Sequence, residues 1–319
     1  MTWSFGPLVL LVCLVILLAC FAVKLLFKRG TRLRAVRAVH REGYGEKRGA
    51  GRGGVVTVRT PVTTPEDVEM VRERYGIEDA WPVTAEPFAQ WVLEDKFTLG
   101  RPPFEDAGVQ LVDDVVPYEL MKLRLLNASH QSLAHWGRLL GFEFAHDAAA
   151  DPDVAAFTRA YLEKEALETL LPVPGIDLPQ YVNTLFERFT NASIADTLAR
   201  LAQDASDRMP KFVLPTVRDN LKENRSIKLG AAMCAAWALG MEGKAEDGSE
   251  IVVDDQQGDR LVALAARERD GEDTAVISDE AVFGELGSDP RFVEAFTEAL
   301  RAIRADGARA VMKRLVEEG

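Results

Sequence analysis

The chain has 319 residues, 47% apolar and 28% charged, the composition of a globular protein with room for two modest domains. Its net charge of −12 is unevenly spread: residues 1–60 carry eleven Lys/Arg and two Glu, a net +9, whereas the remainder carries 27 basic and 48 acidic residues, a net −21. So acidic a body excludes nucleic-acid binding as its business, and three cysteines, two of them inside an apolar run, exclude a disulfide framework.

Residues 7–23 are uninterruptedly apolar, and Leu25, Leu26 and Phe27 extend the run past Lys24, which can snorkel. That length predicts a transmembrane anchor over residues 1–27. No positive charge precedes the run, whereas Lys28, Arg29, Arg32, Arg34, Arg37 and Arg41 follow it. The asymmetry predicts a single-pass membrane protein with the N-terminus outside and the body cytoplasmic, the bilayer being a partner of that helix. A cleaved signal peptide would want the opposite charge order and a small-residue cleavage site. Residues 28–54 are rich in Arg and Gly without apolar periodicity and read as a basic linker. The string Gly49-Ala-Gly51-Arg-Gly-Gly54 matches G-x-G-x-x-G, but no strand precedes it, and Val55-Val-Thr-Val58 after it reads as strand where a nucleotide loop requires helix.

Residues 66–75 predict a helix, and residues 84–92 a strand or short helix. After Pro117 the pattern is almost wholly helical. Helices are predicted around 118–141, 151–168, 178–187, 192–206, 211–223, 227–240, 256–268, 278–286 and 290–316. Asn191 is placed to cap the helix beginning near Ser193. Cys234, in Ala-Ala-Met-Cys-Ala-Ala-Trp, reads as a small core residue. His135 and His146 have no partner at metal-ligand spacing, so no metal site is expected. His40 lies in the linker.

The first of these helices carries the most chemistry. Lys122, Asn127 and His130 stand at i, i+5 and i+8, and at about 100° per residue they fall near 0°, 140° and 80°, on one side of a helix. Leu123 and Leu126 share that arc, so the face is interleaved with leucine rather than simply solvated. A lysine buried there loses its proton more readily and becomes a general base. An ordinary amphipathic helix with a snorkelling lysine and a core-edge histidine is the alternative that spacing leaves open.

The run Lys-x4-Asn-x2-His, preceded by Pro117-Tyr-Glu119, resembles the signature of the mannitol dehydrogenase family, the polyol-specific long-chain dehydrogenases. So do Gly76-Ile-Glu-Asp-Ala-Trp-Pro82, Glu86-Pro-Phe-Ala-Gln-Trp91-Val-Leu-Glu-Asp-Lys-Phe97 and Gly100-Arg-Pro102. Further on, Pro172-Val-Pro-Gly-Ile-Asp177-Leu, Tyr181, Arg188-Phe-Thr-Asn191 and Pro210-Lys-Phe-Val-Leu-Pro215 follow the same pattern. The likeness runs from about residue 60 to the C-terminus and is nearest the mannitol 2-dehydrogenase branch. Behind the N-terminal transmembrane helix (1–27) and basic linker (28–54), which the likeness does not cover, it implies a short α/β remnant of a dinucleotide-binding domain (55–114) and then a large multi-helical substrate and catalytic domain (115–319), a mainly α fold.

The resemblance also implies roles. Lys122 is the general base, Asn127 an oxyanion donor, His130 the holder of a neighbouring hydroxyl, and Glu119 the group that tunes Lys122 and passes its proton to water. Arg200 and Arg208 match positions that contact the polyol, although the second is usually lysine. The implied cofactor is NAD, the substrate a polyol or ketose, and no metal takes part. Three departures stand out. Most of the dinucleotide-binding domain has no counterpart here, a second oxyanion asparagine from that domain is unmatched, and a family aspartate falls at Thr57. A separate dinucleotide-binding subunit is therefore expected as the partner that completes the site. The alternatives are a non-catalytic polyol-binding module and a gene fragment.

Overall fold

The computed structural model describes residues 54–57, 63–83 and 85–318. They divide into two compact units, one of residues 54–56 and 90–115, the other of residues 63–83, 85–89 and 116–318.

The smaller unit is built on a three-stranded sheet in the order β1 (Gly54–Thr57), β2 (Gln90–Glu94), β3 (Gln110–Val112). Strands β2 and β3 run parallel, with Val92 opposite Gln110 and Glu94 opposite Val112. The last glycine of the literal G-x-G-x-x-G string is the first residue of β1, so the string runs into a strand. A side chain at Gly54 would meet Leu93 at 2.6 Å, so glycine here serves close strand packing.

The larger unit is helical. Helix α1 (Pro65–Tyr75) starts with a capping box between Thr64 and Asp67 and ends at Gly76, whose φ of 64° favours glycine. Next come α2 (Val116–Met121), a π-helical turn (Lys122–Asn127) and α3 (Ala128–Leu139), one continuous helical run. Then follow α4 (Ala145–Ala150), α5 (Pro152–Tyr161), a second π-turn (Leu162–Ala166) and α6 (Leu178–Phe189). Helices α7 (Leu198–Ala202), α8 (Ala205–Phe212), α9 (Leu214–Lys222) and α10 (Lys228–Gly240) come next. The run closes with α11 (Gly258–Arg269), α12 (Glu280–Phe283), α13 (Pro290–Asp306) and α14 (Ala308–Glu318).

At the centre lies α10, whose residues from Leu229 to Gly240 are all buried. A helix apolar on every side has to be enclosed, and its alanines let α3, α5, α9, α13 and α14 pack closely against it. Its N-terminus is held by the buried Glu165, which accepts from the Leu229 and Gly230 N–H groups, both at 2.8 Å. A negative group there meets the positive end of the helix dipole and two N–H groups that have no partner within the helix.

The predicted helices recur with informative differences. The expected 192–206 helix is broken, because Ala195 (φ 45°) and Asp204 (φ 49°) take the left-handed conformation on either side of α7. Asn191 does cap, but it caps the short 3-10 turn Ala192–Ile194. The 290–316 segment is two helices, divided at Gly307 (φ 85°).

The membrane reading is corrected. Among the described residues no helix is long and apolar enough to cross a membrane, and the apolar α10, at 13 residues, falls short of the roughly 20 that a span requires. The transmembrane helix placed at residues 1–27 lies outside the described residues. The fold class is mainly α, with no membrane span among the described residues, and the bilayer partner and single-pass membrane placement find no support among them.

In the larger unit, Arg188 on α6 forms a two-pronged ion pair with Glu86 at 2.7 and 2.9 Å, and its guanidinium lies 4.1 Å from the centre of the Phe88 ring. Both side chains are less than a tenth exposed. Glu86→Ala leaves that guanidinium buried without its counter-charge and should lower stability by about 3–5 kcal/mol in urea unfolding. A loss below about 1 kcal/mol, the range of an exposed pair, would contradict this assignment.

Candidate functional site

The helical run 116–139 is buried on almost every side. Met121, Arg124, Leu125, Leu126, Ala128, Ser129 and everything from Gln131 to Gly137 are buried. Glu119, Lys122, Asn127 and His130 are half-buried on this largely buried run, as are Leu120 and Leu123. Four of the six site residues named by the sequence therefore lie half-buried on one helical run.

The backbone along that run is not a regular α-helix. The Ala128 N–H donates to the Leu123 carbonyl five residues back, which makes 122–127 a π-turn. Ser129 contributes to the irregularity: its Oγ donates to the Leu125 carbonyl at 2.6 Å, the acceptor that an α-helix reserves for the Ser129 N–H. Each residue of an i→i+5 turn advances by less than the roughly 100° of an α-helix, which swings Asn127 back toward Lys122. Such turns occur often at functional sites. Sequence periodicity, which assumes one pitch throughout, overstates the angle between these two side chains.

Burial holds the Lys122 ammonium below the usual lysine pKa, and the nearby Glu119 carboxylate opposes the shift without cancelling it. His130 packs against Phe189 of α6, with ring centres 5.2 Å apart and planes tilted by 56°. Phe189 belongs to the Arg188-Phe189 motif, but the sequence carries no sign that this ring walls the histidine.

Arg200 and Arg208 sit beside the next turn. Arg200 is exposed and its guanidinium is held by Asp196. Arg208 is half-buried; burial and the charge of Arg200 lower its pKa. Its Nη1 donates to the Leu201 carbonyl at 2.8 Å, and the Gln131 Nε2 donates to the same carbonyl at 3.1 Å. That shared acceptor joins Arg208 to the residue next to His130, and α8 also packs against the π-turn. His135, farther along α3, is a core residue: burial and the charges of Arg138 and Arg208 push its pKa down to about 3, so it stays neutral. Among the described residues no group of His, Cys, Asp or Glu side chains could hold a metal ion.

The comparisons bear on this arrangement directly. Residues 114–304 match the family model of the mannitol dehydrogenase C-terminal domain, and the chain belongs to that family. It is 36% identical over 274 residues to mannitol 2-dehydrogenase of Aspergillus niger, covering 85% of this chain and 56% of that relative. With the Aspergillus fumigatus enzyme the identity is 38% over 84% of this chain and 53% of the relative. Among solved structures, mannitol 2-dehydrogenase of Pseudomonas fluorescens, in ternary complex with NAD and D-mannitol, superposes with a TM-score of 0.77 at 38% identity. It covers 84% of this chain and 55% of that one. A substrate-free D-sorbitol dehydrogenase gives 0.76 at 30% identity, over 82% of this chain and 54% of that one. The chain spans about half the length of the relatives it matches.

The burial of Lys122 has a thermodynamic consequence. Its pKa is lower in the fold than in the unfolded chain, so between the two values the unfolded state binds more protons and stability rises with pH. The penalty is fully present below the folded value and is gone above the ordinary value of 10.5. Lys122→Met removes it. Thermal unfolding should favour the variant over the parent more at about pH 7 than near pH 10.5. A difference independent of pH, or one of the opposite slope, would contradict the depressed pKa.

Proposed function

We infer that this chain supplies the polyol site of an NAD-linked oxidoreductase of the mannitol 2-dehydrogenase type, interconverting a polyol and its ketose. The observation that carries the reading is that Glu119, Lys122, Asn127 and His130 stand half-buried on one largely buried helical run. Membership of the family, and a relative that binds NAD and D-mannitol, supply the substrate class and the cofactor.

In this reading Lys122, its ammonium destabilised by burial, is the base that takes the proton of the reacting hydroxyl. Asn127, turned toward it by the π-turn, donates a hydrogen bond to the oxygen as negative charge develops there. His130, braced by Phe189, holds an adjacent hydroxyl and fixes the carbon chain. Glu119, whose field acts on Lys122, tunes the base and receives its proton on the way to water. Arg208 and Arg200 bind hydroxyls farther along the polyol. The usual lysine at the first of these is here a planar, permanently charged fork, so it holds that hydroxyl in a different geometry.

NAD accepts the hydride in the family's reaction. The described residues do not fit its pyrophosphate, because the glycine string opens a strand and not a helix. A dinucleotide-binding domain from a partner chain is the proposed complement.

The test is reconstitution of mannitol–fructose interconversion by the full chain with NAD and a relative's dinucleotide-binding domain supplied in trans. Lys122→Ala should abolish nearly all turnover. Asn127→Ala should lower kcat about 10²–10³-fold through the lost oxyanion donor. His130→Ala should raise KM as well as lower kcat. Turnover at the parent rate in Lys122→Ala would overturn the assignment. Saturable polyol binding without turnover in any reconstitution would support a binding module instead.

A further inference from the structure

The π-turn that presents Lys122 and Asn127 contains a residue the mechanism does not use. Arg124 is 5% exposed, a charge inside a leucine-rich helix. Its Nη2 donates to the Asp219 carboxylate at 2.7 Å and its Nη1 to the Thr169 carbonyl at 3.1 Å. Asp219 lies on α9, and Thr169 on the short turn that follows the second π-turn. The guanidinium thus ties the first π-turn to two other elements. Two residues beyond Lys122 in a helical turn points to the far side of the helix axis, so the Arg124 side chain leaves the turn on the side away from Lys122.

We propose that Arg124 is the positioning residue of the candidate site: its ion pair with Asp219 and its bond to Thr169 hold the π-turn 122–127 in register and so aim Lys122 and Asn127 together. The proposal rests on the functional reading above. An i→i+5 turn is seldom adopted without a tertiary reason, and a buried two-point clamp at its centre supplies one. Without the clamp the segment is free to relax to regular α-helix, which shortens the bonds to i→i+4, rotates Asn127 away and changes how deeply Lys122 is buried. Burial raises the Asp219 pKa, but the hydrogen bond and charge of Arg124 outweigh it, so the carboxyl ends below its usual range; Lys222, 3.2 Å away, adds to the effect.

The experiment follows Lys122 itself and needs no turnover. The full chain is labelled with isotopic acetic anhydride across a pH series, and labelling at Lys122 and at the exposed Lys96 is read by peptide mass spectrometry. In the parent, Lys122 should titrate below the ordinary lysine value of 10.5. In Arg124→Gln its apparent pKa should move toward that ordinary value by about one unit, roughly a tenfold drop in neutral amine at fixed pH. Arg124→Lys, which keeps charge but cannot make both bonds, should fall between. Arg309→Gln, removing a remote ion pair with Asp151 and Asp153, should leave Lys122 unchanged even if it lowers thermal stability equally. Asp219→Asn, nearly isosteric at a partly open position, replaces Arg124→Gln should that variant not fold, and should shift Lys122 in the same direction. A depressed parent value that stays put in a folded Arg124→Gln or Asp219→Asn protein overturns the proposal alone. An ordinary lysine value in the parent overturns the general-base reading, and this proposal with it.

Discussion

The helical unit depends on a carboxylate at its centre. Glu165, with no exposed surface, holds the first N–H groups of α10, and α10 is the helix around which α3, α5, α9, α13 and α14 pack. Burial pushes the Glu165 pKa up to about 7, while the two N–H bonds pull the other way. Glu165 can reach α10 because it sits in the second π-turn, where the Leu167 N–H bonds to the Leu162 carbonyl five residues back. Gly230 is required at the contact: a side chain there would meet Val217 at 2.7 Å and the carboxylate at 3.1 Å.

Both π-turns are held from the same short stretch of chain. Asp219 binds Arg124 of the first, and the neighbouring Asn220 donates to the backbone carbonyl of Glu165 in the second. Arg225 in turn donates to the Asn220 side chain at 2.8 Å. The residues that leave regular helical geometry are therefore those gripped by buried charge. Tertiary bonds compensate the irregular backbone, and on the first turn the result is a face carrying an amine, an amide and an imidazole. A lysine held there costs stability, and a group whose proton is loosened by its surroundings is suited to taking a proton from an alcohol.

Much of the helical architecture was legible because its boundaries are chemical. Asp151-Pro152, Asp177 before Leu178-Pro179 and Asp289-Pro290 each place a capping carboxylate ahead of a proline in the first turn, and each opens a helix. That Glu119, Lys122, Asn127 and His130 lie on one helical run was legible from periodicity and family motif together. The π-turns were not, since nothing in the apolar pattern distinguishes a five-residue bond from a four-residue one. The breaks at Ala195 and Asp204 were hidden for a similar reason: neither residue type announces a positive φ. Arg124 had a visible signal, an arginine flanked by Leu123, Leu125 and Leu126, but its partners lie 95 and 45 residues away.

The central claim is that Glu119, Lys122, Asn127 and His130, half-buried on one helical run, form a polyol site. It is tested most directly by NMR of the full chain, following the Asn127 side-chain amide and the His130 ring as D-mannitol is added, with and without NAD. The account predicts saturable shifts at both groups with a common dissociation constant, and their loss in Lys122→Ala or a large increase in that constant. Shifts confined to the surface cavity of about 310 Å³ lined by Arg138, Thr197 and Ser249, with Asn127 and His130 unmoved at saturation, would contradict it.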